Sequence, residues 1–167
     1  PIINACANGA SEMVSSVTSS VVGILYNLQL LQYAGENGVA SYGVLMYVQF
    51  VFAAIFLGYS MGSAPIISYH YGAEKHGELK NLFQKSVVLM GTIGGGMVVA
   101  AQLFAVPLSR LFVGYDATLF EMTVHAIRIA GVSFLIMGFN IFASAFFTAL
   151  NNGGVSAVIS FLRTFVF

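Results

Sequence analysis

Tryptophan is absent from this chain of 167 residues, cysteine occurs once, and only 7% of the residues are charged against 58% hydrophobic. Each shortage excludes something. The lone Cys6 rules out an internal disulfide and any cysteine-based metal cluster. Soluble domains carry about 25% charged residues, and a chain this small has too little interior to hide so much apolar surface from water. Lipid is the solvent that suits it. Six basic side chains balance six acidic ones, so neither nucleic acid nor a polybasic membrane-surface patch is indicated. Eight Tyr and fifteen Phe remain to supply an interfacial belt and the walls of a cavity. The chain opens on Pro1 with no basic stretch before an apolar run, so no signal peptide is read. "SFLRTFVF" stops inside an apolar run. The expectation is a piece of a longer polytopic protein.

The scarce charges mark out the spans. Between Glu12 and Glu36 lie 23 residues without Asp, Glu, Lys or Arg; Glu36 to Glu74 encloses 37, Lys85 to Arg110 encloses 24, and Arg128 to Arg163 encloses 34. A bilayer core about 30 Å thick takes roughly 20 apolar residues as a helix, so each interval holds one span. The pattern predicts helices over about 10–33, 39–71, 83–108 and 120–150, and a truncated one over 154–167. "YAGENG" (33–38) and "NNGG" (151–154) serve as turns, and Gly72 is expected to end the second helix in a left-handed conformation. No ten-residue alternating segments of a transmembrane barrel occur. The fold class is all-α, a polytopic transmembrane helix bundle that occupies residues 1–167 as one unit.

Lys75, Lys80 and Lys85, with His70 and His76, fall together between the second and third helices. The positive-inside rule places this connection, 72–86, in the cytoplasm. Within it Leu79, Leu82 and Phe83 lie opposite Glu78 and Lys85, as in a short amphipathic segment on the inner membrane surface. Gly58 with Gly62 and Gly91 with Gly95 have the four-residue spacing of close helix packing in lipid. Pro65 is expected to bend the second helix, as a fixed or a mobile kink.

Polar residues inside such spans need a reason, because a carboxylate at the centre of a membrane helix costs at least ~2.5 kcal/mol. At 100° per residue, Ser16, Ser19, Gly23, Tyr26 and Asn27 lie within about 60° of Glu12, while Val14, Val17, Val21, Ile24, Leu25 and Leu28 cover the other side. A polar ribbon on a membrane span faces protein or a wet cavity. Glu12 also has a plainer use, capping the helix start with Asn8 or Ser11 as N-cap. Both uses stand. In the fourth helix Ser133, Asn140 and Ser144 share a face, suited to an interhelical hydrogen bond or a cavity wall. In the second, Tyr42, Gln49, Phe56, Ser60 and Ser63 align, as simple packing or as a wall for large ligands. Arg128 and Arg163 can snorkel. His70, His76 and His125 lack metal-ligand spacing, Gly94–Gly96 is no phosphate loop, and no nucleophile–base pair exists. The chain does not read as an enzyme, and no cofactor or metal is expected.

"NGASEM" at the first span, "LGYSMGSAPIISYHYGA" closing the second, and "FFTALNNGGVSAVISFLRTFVF" ending the fourth resemble the multidrug and toxic compound extrusion (MATE) family, in its carboxy-terminal half. The resemblance covers essentially the whole chain. It implies part of a six-helix lobe in a twelve-helix, two-lobe transporter of the plasma membrane, a bacterial cytoplasmic membrane. It further implies export of cationic amphipathic drugs against H⁺ or Na⁺ by alternating access, with the amino-terminal lobe and the bilayer as partners. The family often has an acid in the first helix of this lobe, which makes Glu12 the coupling-ion candidate. Where some members carry an acid in the fourth helix, this chain has Asn140, which favours H⁺ coupling or an ion site in the other lobe. Ser16, Ser19, Tyr26, Asn27, Gln49, Asn140 and Ser144 are the candidate cavity-lining residues. The rival readings are a lipid-linked oligosaccharide or polysaccharide flippase of the same superfamily, and a channel or scaffold that transports nothing.

Overall fold

The computed structural model describes the backbone of residues 2–165 and the side chains of Met13, 16–156, Val158, Ile159 and Leu162. Four helices follow one another: α1 (Ile2–Gly72), α2 (His76–Val113), α3 (Ala117–Ala149) and α4 (Gly153–Phe165), with no strand among the described residues. The fold is all-α. The two helices expected over 10–33 and 39–71 form one element, α1, broken only at Gly35, whose dihedrals are φ 64 and ψ −159. Only glycine occupies that region without strain. On a straight helix Tyr26 and Tyr42 would stand about 24 Å apart, yet their rings stack at 5.8 Å. The two arms, 2–34 and 36–72, are therefore folded sharply back on each other. A turn expected over six residues takes one.

The other connections are nearly as tight. Glu74, at φ 55, carries the left-handed residue after α1, a place the sequence assigns to Gly72. Asp116 caps α3 by accepting from the Leu119 N–H at 2.9 Å. Asn151, at φ 58, turns the chain between α3 and α4, and the Asn152 side chain then accepts from Val155 N–H at 3.3 Å. Asparagine tolerates the first of these conformations better than most residues do.

Helices α1 and α3 each touch the other three, with α3 packed most heavily on α1 and α2, and among the described residues α2 and α4 do not meet. On α2 the buried residues are Ser86, Met90, Gly94, Met97, Ala101, Ala105, Ser109 and Val113, a seam of period three to four made mostly of small side chains. Small residues let backbones approach. A Cβ on Gly94 would lie 3.2 Å from the Leu135 Cα, and one on Gly131 would lie 2.8 Å from the Ala101 Cβ. A Cβ on Gly91 would touch the Phe139 ring, whereas one on Gly58, Gly62 or Gly95 would have nothing within 4 Å. Among the described residues the expected Gly58/Gly62 contact does not form. Beside the seam, Phe56 of α1 is completely buried and its ring lies against Gly138.

Two contacts tie levels together. Ser68 Oγ donates to the Ala149 carbonyl at 2.9 Å, so the connections 73–75 and 150–152 share one end of the bundle. Tyr47 stacks on Phe112 at 6.4 Å and Val44 clusters with Val113 and Leu119, which places the Gly35 bend and 114–116 at the other. The lysines belong to the first end. Residues 76–85 are not a separate segment on a membrane surface; they are the first turns of α2. Leu79 and Leu82 pack onto the core and the Phe83 ring lies 5.0 Å from that of Phe146. A helix of 38 residues is about 57 Å long against a hydrocarbon core of about 30 Å, so its charged start projects beyond the core. Pro65 lies within α1 without a non-helical residue beside it.

Three helical segments, Ser16–Gly72, His76–Val113 and Ala117–Ala149, are long and apolar enough to cross a membrane. Phe50, Met61, Leu103 and Leu111 stand exposed on their outer faces, as a lipid solvent allows and water does not.

Candidate functional site

The candidate residues lie on the two arms of α1 and on α3, and the structure sorts them differently from the helical wheel. The Glu12 side chain lies outside the described residues. Its backbone belongs to α1, which begins ten residues earlier, so Asn8 and Ser11 sit inside the helix and are not N-caps. That removes the capping geometry read from the sequence. Along the same arm, Ser16, Ser19 and Tyr26 are exposed, while Gly23 and Asn27 are half-buried. The polar ribbon is thus split: part turns toward the second arm and part faces away from the chain. Ser20 Oγ donates to Ser16 O at 3.0 Å, and Asn27 Nδ2 donates to Gly23 O at 2.9 Å. Such bonds to the preceding turn satisfy polar groups in an apolar solvent at no cost in partners. Asn27 also sits on the wall of a groove of about 500 Å³ in the crook of α1, with Ile24, Leu28 and Leu31 on its own arm and Glu36, Val39 and Ala40 on the other.

On the second arm the aligned face divides. Phe56, Ser60 and Ser63 are buried, so that stretch is packing surface, the plainer of the two readings. Gln49 is exposed although it shares a wheel position with Phe56, and its neighbour Val48 is buried instead. The buried seam runs through Ser41, Val44 and Val48 near the bend and through Phe56, Ser60 and Ile67 lower down, drifting around the helix as its neighbours change. Gln49 falls just outside it.

On α3, Asn140 is half-buried, whereas Ser144 is buried at the junction with α4. Ser144 Oγ lies 2.9 Å from Ser156 Oγ; Ser156 Oγ donates to the Ser144 carbonyl at 3.0 Å, and Thr148 Oγ1 reaches Ser156 Oγ at 2.7 Å. This hydroxyl cluster fastens α4 to α3. A second polar tie, absent from the sequence reading, joins α1 to α2: Ser86 Oγ gives its hydrogen to Leu82 O at 2.8 Å, so Tyr59 Oη donates to Ser86 Oγ, also at 2.8 Å. Gln102 Nε2 donates to Arg128 O at 2.9 Å and ties α2 to α3. Their only sequence signal was a polar side chain at a seam position, which Ser86 and Ser156 share with many residues that face solvent.

Among the described residues no group of three or more His, Cys, Asp or Glu converges as a metal site. Three helical segments long and apolar enough to cross a membrane, with isolated polar groups set among them, are the pattern of a multi-pass membrane protein. The chain belongs to the MatE family, whose model matches residues 12–167. It is 25% identical over 156 residues to "Multidrug export protein MepA" of Staphylococcus aureus strain N315, and 24% identical over 156 residues to the protein of that name from strain MRSA252. Each alignment covers 93% of this chain and 34% of the relative, so the chain spans about a third of the length of the curated relatives it matches. No solved structure matches it.

Proposed function

We propose that the protein containing this chain exports bulky cationic amphipathic compounds in exchange for H⁺ or Na⁺, by alternating access between two lobes in the plasma membrane. The observation that carries this reading is the family match from Glu12 to the end of the chain, together with relatives named as multidrug export proteins. The lysine-rich connection would face the cytoplasm. Glu12 would hold the coupling ion. With the cavity open outward, the ion neutralises the carboxylate and lowers affinity for a cationic drug. The ion can drive release only to the extent that it prefers the state the drug does not. Ser16, Ser19, Tyr26 and Gln49 are exposed within this chain, so they are available to line a cavity against the other lobe; Asn27 and Asn140 are half-buried. Ser144 is committed to α4 and is no longer offered as lining.

The test is drug-stimulated ion flux in vesicles holding the intact protein, with Na⁺ and pH gradients imposed separately. One gradient should drive efflux of ethidium and the other should not. Glu12→Gln should abolish export with normal expression; full export by that variant would remove Glu12 from the mechanism.

A further inference from the structure

We propose that Arg128 and His125, on the exposed flank of α3, dock the phosphate of an anionic phospholipid in the leaflet at the Gly35 end of the bundle. The two residues are three apart on one helix, neighbours on its surface, and both are exposed. Their depth calls for a partner. Helix α3 has 33 residues, about 50 Å, so a hydrocarbon core of about 30 Å centred on it begins about 10 Å from Ala117. Arg128 lies eleven residues along the helix, about 17 Å, which puts its Cα inside the core and His125 near the edge. A charge at that depth is costly unless its stem carries it back to the headgroups and a counter-charge meets it there. Helix α2 has no Asp or Glu after Glu78, and α3 has none after Glu121. Glu121 stands seven residues outward of Arg128, about 10 Å. The antiparallel register that sets Gln102 beside Arg128 and Ala101 beside Gly131 brings Arg110 to the level of Glu121, so those two charges offset each other. Glu36 of α1 stands at the bend itself. On α2 and α3 the charge of Arg128 is left unmatched.

The surroundings choose the source of the phosphate. One to two turns deeper, Val99 of α2 and Val132, Leu135 and Ile136 of α3 are exposed and apolar. They form a track for the acyl chains of the same molecule, from which a free anion would gain nothing. Beside Arg128 itself, Leu103 and Ile129 are exposed and apolar as well, so this flank suits lipid rather than a wet passage. The guanidinium fork matches a phosphodiester with two parallel hydrogen bonds, and imidazole offers an N–H donor in either charge state. Gln102 Nε2 donates to Arg128 O at 2.9 Å and pins α2 to α3 at this level, so both donors stand on a fixed backbone and lose less freedom on binding. A choline headgroup brings its own cation to compete for the phosphate charge. Phosphatidylglycerol brings none, and the site prefers it.

The test uses the intact protein reconstituted in mixed phosphatidylglycerol and phosphatidylcholine, with Val132→Trp as a reporter one turn below Arg128. Brominated lipid of either kind is the quencher, and the same protein with Val132 retained supplies the background. Phosphatidylglycerol should quench the introduced indole with a relative binding constant about fivefold that of phosphatidylcholine, the worth of one basic residue beside an anionic lipid. Arg128→Gln should bring this ratio to about one, Arg128→Lys should keep part of it, and His125→Gln should lower it without abolishing it. Val88→Trp, an exposed position toward the lysine end of α2, should be indifferent to Arg128→Gln. Excess inorganic phosphate should leave the ratio unchanged. A ratio that survives Arg128→Gln, that falls equally at the Val88 reporter, or that inorganic phosphate erases would overturn the proposal. Failure of both lipids to quench the Val132 reporter would overturn it too, because the flank would then be covered by protein. If Arg128→Gln does not fold, His125→Gln carries the comparison, and a ratio that it leaves unchanged overturns the proposal.

Discussion

Replacing Gly138 by alanine should destabilise the bundle, and the same replacement at Gly58 should not. The Phe56 ring is wholly withdrawn from solvent and lies across Gly138. A Cβ there would stand 2.7 Å from Phe56 Cζ and 2.8 Å from Cδ1, inside any separation carbon atoms adopt at rest. The ring has nowhere easy to go, because the core around it includes Phe134, itself 4.9 Å from the Phe52 ring. Overpacking of this kind costs about 1–3 kcal/mol. Alanine also favours helix over glycine by about 0.8–1.0 kcal/mol, which blurs the net effect at one site. The comparison removes the blur. Nothing lies within 4 Å of a Cβ at Gly58, so that variant carries the helix gain without the clash, and the gap between the two isolates about 1–3 kcal/mol of overpacking. Size-exclusion-monitored thermal denaturation of the solubilised protein reads it as a Tm difference of a few degrees. Phe56→Leu should cost stability in the parent and less in the Gly138→Ala background, because the smaller side chain vacates the contested volume. Equal Tm values for the two alanine variants, or strict additivity with Phe56→Leu, would refute the packing argument.

Gly35→Ala forces a side chain onto φ 64, ψ −159, a strain of about 1–3 kcal/mol; folded yield and Tm should fall, whereas Gly43→Ala, with nothing within 4 Å, should be tolerated. Ser156→Ala removes the hydroxyl shared by Ser144 and Thr148, and a double-mutant cycle with Ser144→Ala should give a coupling of about 0.6–1.7 kcal/mol; zero coupling would mean that the cluster does not fasten α4. With Cys6 replaced by serine, a membrane-impermeant maleimide should label Lys80→Cys from the cytoplasmic side and Tyr115→Cys from the opposite side, and reversed labelling would invert the topology.

The helical type of the chain and its apolar runs were legible because charge is so rare: a residue such as Glu36 or Lys85 ends an apolar run unambiguously when its neighbours on both sides are oily. Boundaries were less so. Helix α1 is already helical ahead of about residue 10, and α2 begins at His76 rather than 83, because membrane helices run on past the hydrocarbon and polar residues do not stop them. The packing glycines were hidden by the spacing sought. A four-residue rule selected Gly58/Gly62 and Gly91/Gly95, yet the close contacts fall at Gly94, Gly131 and Gly138. Gly131 and Gly138 are seven apart, two turns of one face, a spacing that any helix seam shares and that distinguishes nothing by itself. On the site, the wheel correctly grouped residues by angle but could not know which angle is covered. Gln49 and Phe56 share a direction and differ in fate because the seam drifts between them.

The distribution of packing bears on how a charge at Glu12 could act. Helix α3 buries ten residues, from Leu119 to Phe146. Among the described residues of the first α1 arm, from Met13 to Ala34, none is buried. Among the described residues, the ties of the first arm are the bend and the Tyr26–Tyr42 stack at its Gly35 end, while the second arm and α2 bury side chains against α3. Segments with few buried contacts move at low free-energy cost. A neutralisation worth only a few kcal/mol can shift such an arm, whereas the same energy spent inside the α2–α3 seam would have to displace glycine–backbone contacts at Gly94. In the proposed exchange, ion binding would therefore reposition the first arm against a fixed α2–α3 core, with Gly35 as the pivot.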